Sequence, residues 1–268
     1  MKLDGLLYRY PGREGFQLGP LTVEGPDDRP WILLGPSGSG KSTLLRLLGG
    51  GLRGTGGGIE VAAGGRSAYL PQLPERVLTG RNLAEDLCGD PRPELGRRLE
   101  MRAALRAVGL EGAGLARSSR RLSAGERRRL ALALLLLCGH DHWALDEPDA
   151  ALDARGVERV MAVLASRPVS ARSRLWIATH RHELYAPLRP WTLVLHRGGL
   201  VAAGDLGEVL SRQEVNGCLG LARRPAFRLW AAMQELPEGP RGGLLEPPAA
   251  GSGAAQVHVL LALEAGLR

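Results

Sequence analysis

The most constraining feature of the sequence is a glycine-rich segment that contains one of only two lysines in the chain. It runs from Gly35 to Thr43 and reads Gly-Pro-Ser-Gly-Ser-Gly-Lys-Ser-Thr; the other lysine is Lys2. The segment matches the nucleotide-binding P-loop pattern G-x-x-x-x-G-K-[ST] at every specified position. Its glycines let the backbone curl around an anion, because no Cβ obstructs the curl. The sequence therefore predicts a site for the phosphates of a nucleoside triphosphate.

The residues on both sides of this loop suit the strand–loop–helix setting that the motif requires. Trp31–Leu34 is a short apolar run that predicts a buried strand, and Ser42–Leu48 predicts an apolar helix. The N–H groups of the loop and the positive end of that helix would face the phosphates. Lys41 is then placed to reach the β- and γ-phosphates, and the Ser42 hydroxyl is placed to bind Mg²⁺.

Composition narrows the class of protein. The net charge of +7 comes from scattered arginines, which do not favour a nucleic-acid surface. The most apolar run, Leu130–Cys138, is too short to span a membrane and predicts a buried helix. The N-terminus shows no signal-peptide pattern, and the three cysteines are widely spaced (Cys88, Cys138 and Cys218). We therefore expect a soluble cytoplasmic protein with reduced thiols.

One short polar segment invites a metal-binding interpretation. His140-Asp141-His142 could bind a metal in principle, but no further ligands lie nearby in sequence. The segment therefore predicts a solvated turn.

Two further segments carry polar groups that could serve a bound nucleotide. Gln72 follows the strand-like Tyr69–Pro71 and could approach a metal or an attacking water, although a glutamine after a proline is also ordinary in loops. Ser123, in Leu-Ser-Ala-Gly-Glu, precedes an apolar helix and predicts a second anion site. The alternative is a plain helix cap with Glu126 completing a capping box, and both can hold at once.

Two apolar strands end in candidate catalytic groups. In Trp143–Pro148, a short apolar strand ends in the two carboxylates Asp146 and Glu147. Open α/β sheets bind ligands at this end of their strands. Asp146 could hold Mg²⁺ and Glu147 could act as general base, while acidic residues at a strand end also begin ordinary turns. The run Arg174–His180 ends in a histidine that could hydrogen-bond a γ-phosphate, although a lone histidine there is usually structural.

The order of these motifs resembles that of the ATP-binding-cassette (ABC) ATPase family over roughly residues 3–210. The resemblance implies an α/β fold: a RecA-like P-loop NTPase core of ABC type, with an antiparallel β subdomain and an inserted helical subdomain. It implies ATP and Mg²⁺ as ligands. The implied nucleotide-binding residues begin with Tyr10, which stacks on adenine (Tyr8 being the alternative), and with the phosphate-binding loop Gly35, Pro36, Ser37, Gly38, Ser39, Gly40, Lys41, Ser42 and Thr43. They also include Ser123, Gly125 and Glu126 of the family's signature and Asp153 of its D-loop. The resemblance further implies Ser42, Gln72 and Asp146 on metal, and Glu147, His180, Gln72 and Lys41 in catalysis.

The sequence departs from the family's usual signature, Leu-Ser-Gly-Gly-Gln, at two positions. Ala124 and Glu126 replace a glycine and the glutamine, whereas Ser123 and Gly125 are kept. This leaves open a partly degenerate site in a heterodimer. In the family, two cassettes pair head to tail, with each ATP between one P-loop and the partner's signature. The resemblance therefore implies a second cassette as partner, identical or related.

The resemblance also implies a division of the chain and a role in transport. Residues 1–210 would form the ATPase domain, with a helical subdomain at about 73–124, and residues 211–268 a C-terminal extension with a flexible linker at about 237–254. Segments near Gln72 and Asn82 resemble energy-coupling-factor and cobalt-type importer ATPases, which implies integral membrane partner subunits and a peripheral location on the inner face of the cell membrane. The rivals are a non-transport ABC ATPase acting on nucleic acid or a macromolecular assembly, and a non-hydrolysing regulatory cassette.

Overall fold

Two β-sheets of different architecture organise the computed structural model, which describes residues 1–12, 15–60, 65–170 and 172–219. The smaller sheet is antiparallel throughout, in the strand order β2-β1-β4. Its strands are β1 (Lys2–Arg9), β2 (Gln17–Glu24) and β4 (Gly56–Glu60). Strand β1 alternates exposed with buried side chains, so one face of this sheet covers the core. Tyr10 directly follows the end of β1.

The larger sheet has six strands in the order β5-β6-β7-β3-β8-β9. Strands β5, β6, β7, β3 and β8 run parallel, and β9 pairs antiparallel with β8. The central strands are buried at every residue, as expected where helices or a second sheet cover both faces. The strands are β3 (Trp31–Leu34), β5 (Ser67–Leu70), β6 (His142–Asp146), β7 (Leu175–Ala178), β8 (Trp191–His196) and β9 (Gly199–Asp205).

Helices follow the strands in an alternating pattern. Helix α1 (Lys41–Leu48) follows β3, and α5 (Ala154–Ser166) joins β6 to β7. Between β5 and β6 lies the helical insertion, which leads into the long helix α4. The remaining helices are α2 (Leu83–Cys88), α3 (Leu95–Ala107), α4 (Ala124–Cys138), α6 (Leu206–Ser211) and α7 (Gln213–Leu219), with 3-10 turns at Pro74–Arg76, Ser119–Arg121 and His182–Leu188.

Two hydrophobic clusters lie on opposite faces of the larger sheet. Along β3, Ile32 and Leu34 join the cluster with α2, α3 and α4, whereas Trp31 and Leu33 join the cluster with α1 and the smaller sheet. This division follows from the alternation of side chains along a strand. Both faces of the larger sheet are therefore covered, and Asp146 lies at the carboxyl end of β6.

The C-terminal helices continue the core beyond residue 210. Val209 of α6 and Val215 of α7 are fully buried in the cluster with α4. The domain boundary at 210 stays a prediction. The expected C-terminal extension lies outside the described residues from 220 onward, as does its linker. None of the helices that the structure describes has the length and apolarity of a membrane span.

The structure corrects the expectation for His140-Asp141-His142. Only Asp141 is fully exposed; His142 is the first residue of β6 and is 2% exposed. Its Nδ1 accepts a hydrogen bond of 3.3 Å from the backbone N–H of Arg174, the residue before β7. The segment therefore leads into a strand rather than forming a solvated turn, because pairing of β6 with β5 begins at His142, one residue before the apolar run. Among the described residues, no three or more histidine, cysteine, aspartate or glutamate side chains form a group that could hold a metal ion.

Candidate active site

The loop between β3 and α1 is shaped by glycines in backbone conformations that other residues rarely adopt. The φ angles of Gly35 and Gly40 are +148° and +108°. A Cβ at Gly35 would lie 2.2 Å from the Leu195 carbonyl oxygen, and one at Gly40 would lie 2.7 Å from a Leu18 methyl. The loop can therefore close over the end of β3 only with glycine at both positions.

Lys41, the first residue of α1, reaches back across this loop. Its ammonium donates to the carbonyls of Gly35 (2.7 Å) and Pro36 (3.1 Å), and the residue is 7% exposed. Burial lowers the pKa of Lys41, and the nearby Glu147 and Asp146 carboxylates partly offset that effect. The chain thus places a buried cation beside two carboxylates, within the glycine loop.

Asp146 ends strand β6 and is 4% exposed. Its Oδ2 accepts a hydrogen bond of 3.0 Å from the phenol of Tyr69 on the adjacent strand β5. Burial, together with this carboxylate, raises the pKa of Tyr69 to about 12, so the phenol remains a donor. Sequence reasoning missed Tyr69 as a neighbour of this site; it lies three residues before Gln72.

The next residue, Glu147, connects three segments of the chain. Its backbone has a φ of +50°, and its N–H donates to the Ala178 carbonyl at 2.9 Å. One carboxylate oxygen accepts from the Gln72 side-chain amide at 2.9 Å. The other lies 3.1 Å from His180 Nε2. The structure therefore joins three of the residues predicted from separate motifs, because β5, β6 and β7 are neighbours in the sheet.

Tyr10 forms the opposite wall of the same cleft. Its hydroxyl lies 3.1 Å from Thr43 Oγ1, so it sits beside the start of α1. Tyr8, the alternative for stacking on adenine, is 7% exposed and belongs to the core, with its ring 4.9 Å from that of Tyr10 in a T-shaped arrangement. Phe16 also lines the cleft. It was missed because nothing in the local sequence marks it.

The cleft has a volume of about 530 Å³ and brings most of the predicted site together. It joins residues of the glycine loop, including Lys41 and Ser42, to Asp146, Glu147 and His180. Ser39 lies beneath the loop instead: it is 2% exposed, and its hydroxyl has no hydrogen-bond partner among the described residues. The cleft therefore presents a glycine cradle, a cation and two carboxylates in one place.

The Ser123 segment is a separate feature at the start of α4. The Ser123 hydroxyl accepts from the Glu126 N–H at 3.2 Å, and the Glu126 carboxylate accepts from the Ser123 N–H at 2.7 Å. This capping box lowers the pKa of Glu126, chiefly through the bond from the Ser123 backbone. Ser123 and Glu126 are not among the residues that line the cleft.

The segment around Asp153 packs against the Ser123 segment. A Cβ at Gly125 would lie 2.9 Å from the Ala151 carbonyl oxygen, so the glycine permits a close approach. Asp153 caps α5 by accepting from the Gly156 N–H at 2.8 Å. Like Ser123, it lies outside the cleft. These two predicted binding segments thus form one surface of the chain.

Arg128 of α4 was not anticipated as part of the site. It is 6% exposed and donates to the backbone carbonyls of Glu147 (2.6 Å) and Gln72. The sequence shows it only as the middle of three consecutive arginines, which gives no sign of burial. It connects the helix that follows Ser123 to both loops of the cleft.

A glycine loop between a buried parallel strand and a helix, facing carboxylates at the end of a nearby strand, defines the core of a P-loop nucleoside triphosphatase. A family model described as ABC transporter matches residues 18–150. An ABC transporter ATP-binding protein of Gloeobacter violaceus is 35% identical over 226 residues, which cover 78% of this chain and 90% of that protein. The chain belongs to the ABC transporter ATP-binding protein family, and it is accordingly an ATP-binding ATPase subunit.

A further relative and two solved structures are similar to the chain over most of its length. The energy-coupling factor transporter ATP-binding protein EcfA2 of Symbiobacterium thermophilum is 32% identical over 236 residues, covering 80% of each chain. The structure of cbiO1 from Clostridium perfringens, part of the transporter complex cbiONQ, has a TM-score of 0.64 at 22% identity and covers 88% of this chain and 98% of that one. A dimeric ATP-binding cassette with ADP and Pi has a TM-score of 0.66 at 20% identity, with 76% and 98% coverage. These solved structures confirm the predicted fold.

Proposed function

We propose that the chain hydrolyses ATP at an interface, with the nucleotide enclosed between its own P-loop cleft and the Ser123 segment of a second cassette. One observation carries this proposal: the two anion-binding segments of the chain lie apart, and the cleft lacks Ser123 in its lining. Head-to-tail pairing with an identical or related cassette would place both segments on one nucleotide. ATP would then hold the pair together, and hydrolysis would release it.

The residues of the cleft fit ATP. The glycine loop has room for phosphate, because a Cβ at Gly38 would meet nothing within 4 Å. Lys41 now donates to loop carbonyls and can turn to phosphate oxygens without leaving the loop. At the other end, Tyr10 lines the cleft, where its ring would stack on adenine. The proposed phosphate-binding residues are those of the predicted loop that line the cleft: Ser37, Gly38, Gly40, Lys41, Ser42 and Thr43.

The same cleft offers oxygen ligands of the kind that Mg²⁺ prefers. Ser42 contributes a hydroxyl and Asp146 a carboxylate, both in the lining of the cleft, with the Gln72 side chain beside them. Tyr69 occupies Oδ2 of Asp146, which leaves the other oxygen of that carboxylate to face a cation. When bound, Mg²⁺ would offset the negative charge that develops on the phosphates.

Glu147 is the proposed general base. Gln72 and His180 contact its two carboxylate oxygens from opposite sides, which fixes the direction of the side chain. A carboxylate held in this way can accept the proton of an attacking water. His180 would orient the same water and the γ-phosphate. Phosphoryl transfer depends mainly on positioning and electrostatics, which are the contributions proposed here for Glu147 and His180.

The likeness to EcfA2 and cbiO1 supports a role in uptake, of a metal ion or vitamin, through separate membrane subunits at the inner face of the membrane. The helical insertion offers exposed apolar side chains for such a contact, at Leu73 (53%), Leu95 (71%) and Leu99 (60%). Stable recovery from detergent with a polytopic membrane protein would support this role. Recovery on nucleic acid without a membrane partner would favour the non-transport alternative.

The substitution Glu147→Gln tests the pairing. We expect an ATP-stabilised dimer with little turnover, because the amide cannot accept the proton while the binding groups remain. Size-exclusion chromatography with light scattering, in saturating ATP and Mg²⁺, measures the dimer. Glu158→Gln, an exposed change on α5, serves as the matched control and should turn over ATP normally. A Glu147→Gln chain that stays monomeric in ATP and Mg²⁺ would contradict the interfacial site.

A further inference from the structure

A buried polar cluster lies directly behind Glu147 and His180, and the catalytic roles proposed above do not use it. Asp149 is 4% exposed, and its Oδ1 accepts two hydrogen bonds: from the Thr179 hydroxyl at 3.1 Å and from the Tyr185 phenol at 2.7 Å. Thr179 and Tyr185 are 1% and 0% exposed. Burying a carboxylate costs free energy unless it is hydrogen-bonded, so a carboxylate kept at this position indicates a role.

The cluster brackets His180 in the chain. Thr179 precedes the histidine, and its hydroxyl also accepts from the Arg181 N–H, which follows it, at 2.9 Å. The Thr179 hydroxyl therefore closes a turn around His180 while donating to Asp149. The imidazole itself is 47% exposed, so packing does little to fix it. Its direction depends on this turn.

The same cluster is tied to Glu147 through the chain. Asp149 lies two residues after Glu147, and the segment curls because Glu147 has a φ of +50° and its carbonyl accepts from the Ala150 N–H at 3.1 Å. The hydrogen bond from the Glu147 N–H to the Ala178 carbonyl joins the ends of β6 and β7 just before the cluster. One carboxylate thus holds the loop that carries the base against the turn that carries the histidine.

We propose that Asp149 is a positioning residue for ATP hydrolysis: through Thr179 and Tyr185 it sets the contact between His180 and Glu147. The idea rests on the proposed roles of those two residues. Burial raises the pKa of Tyr185 well above its usual value, with Asp149 adding to the effect, so the phenol keeps its proton and donates. Asp149, Thr179 and Tyr185 are not among the residues that line the cleft, so ATP binding should depend little on the cluster.

The test compares kcat and KM of the full chain carrying Thr179→Val, which removes the hydroxyl at nearly constant volume. We expect kcat to fall about 10-fold with KM nearly unchanged, because orientation rather than nucleotide binding is lost. Thr179→Ser should restore most of the loss. Thr192→Val is the matched control: this buried threonine on β8 has a hydroxyl without a partner among the described residues, and its loss should leave kcat unchanged.

A double-mutant cycle separates positioning from general damage to the fold. If Asp149 and Thr179 act through His180, then Thr179→Val should cost less than about 2-fold in a His180→Ala background. Asp149→Asn, which keeps the size of the side chain, should likewise lower kcat in the wild-type chain but cost less than about 2-fold in the His180→Ala background. Equal losses with and without His180 would overturn the proposal, as would wild-type kcat in Thr179→Val and Asp149→Asn alongside impaired His180→Ala. Full turnover in both His180→Ala and Glu147→Gln would instead refute the proposed catalytic roles, and the positioning role with them.

Discussion

The N-termini of α1 and α4 are both suited to anions, but one is uncapped and the other is capped by side chains. Helix α1 begins after Gly40, which has no side chain, and no side chain caps it. Helix α4 begins after Ser123, and its capping box is complete. Free N–H groups at a helix start are a ready anion site, whereas a capped start already has acceptors of its own. The chain therefore leaves α1 open to phosphate and holds α4 stable without a ligand.

Their surroundings differ in the same sense. The start of α1 lies in a cleft with a buried lysine and two carboxylates. The start of α4 is exposed at Ser123, and its hydroxyl, though it accepts a capping bond, keeps a hydrogen to donate. In the proposed function, the start of α1 binds the nucleotide of its own chain, whereas the start of α4 contacts the nucleotide of a second chain.

The largest effect should come from Lys41→Ala. Loss of the only cation in the glycine loop should weaken ATP binding about 100-fold, since hydrogen bonds to a charged group are the strong ones. Titration of the purified chain with a fluorescent ATP analogue measures this. Lys2→Ala removes the other lysine, which lies on β1 near Asp4, and is the control. Unchanged affinity in Lys41→Ala would remove the P-loop from the binding site.

Ser123→Ala should separate the two regions. ATP binding to the single chain should remain, while turnover falls about 10-fold because a hydrogen bond to phosphate across the interface is lost. Steady-state ATPase assays measure this, with Ser118→Ala as a nearby serine control. An equal loss of binding and turnover would place Ser123 at its own chain's nucleotide.

Mixing the two variants makes that distinction sharper. In a head-to-tail homodimer of one Lys41→Ala chain and one Ser123→Ala chain, one site carries both changes and the other carries neither. The mixture should therefore regain activity that neither variant has alone. If both residues served the same nucleotide in one chain, mixing would restore nothing.

The sequence predicted the parts of the site that depend on local pattern. The loop, its strand and its helix follow from spacing, and Asp146 and Glu147 follow from their place at a strand end. Most of these residues meet in one cleft because parallel neighbouring strands end at one edge. The assignment of each role remains a prediction. The spacing of the motifs predicts where the candidate catalytic residues lie.

The sequence pattern did not identify the buried residues that support the loops of this site. Asp149, Tyr185 and Arg128 matter because of partners that lie 18 or more residues away in the chain, on other elements. Their burial depends on how α4 and β7 pack, and no local period encodes that. Only Asp149 carried a signal, as a third acidic residue directly after Asp-Glu-Pro.

The smallest effect should come from Glu126→Gln, which probes the capped region alone. Glutamine can still complete the box, so the free energy of unfolding at pH 7 should fall by less than about 1 kcal/mol. The pKa of Glu126 is lowered in the folded chain, so its charge adds stability above the unfolded-state pKa of 4.5, and this is lost as pH falls through the folded value. The stability difference between wild type and variant should therefore shrink from about pH 7 to about pH 4. Urea unfolding at both pH values measures it; a difference that is constant with pH would mean that the carboxylate does not cap α4 in solution.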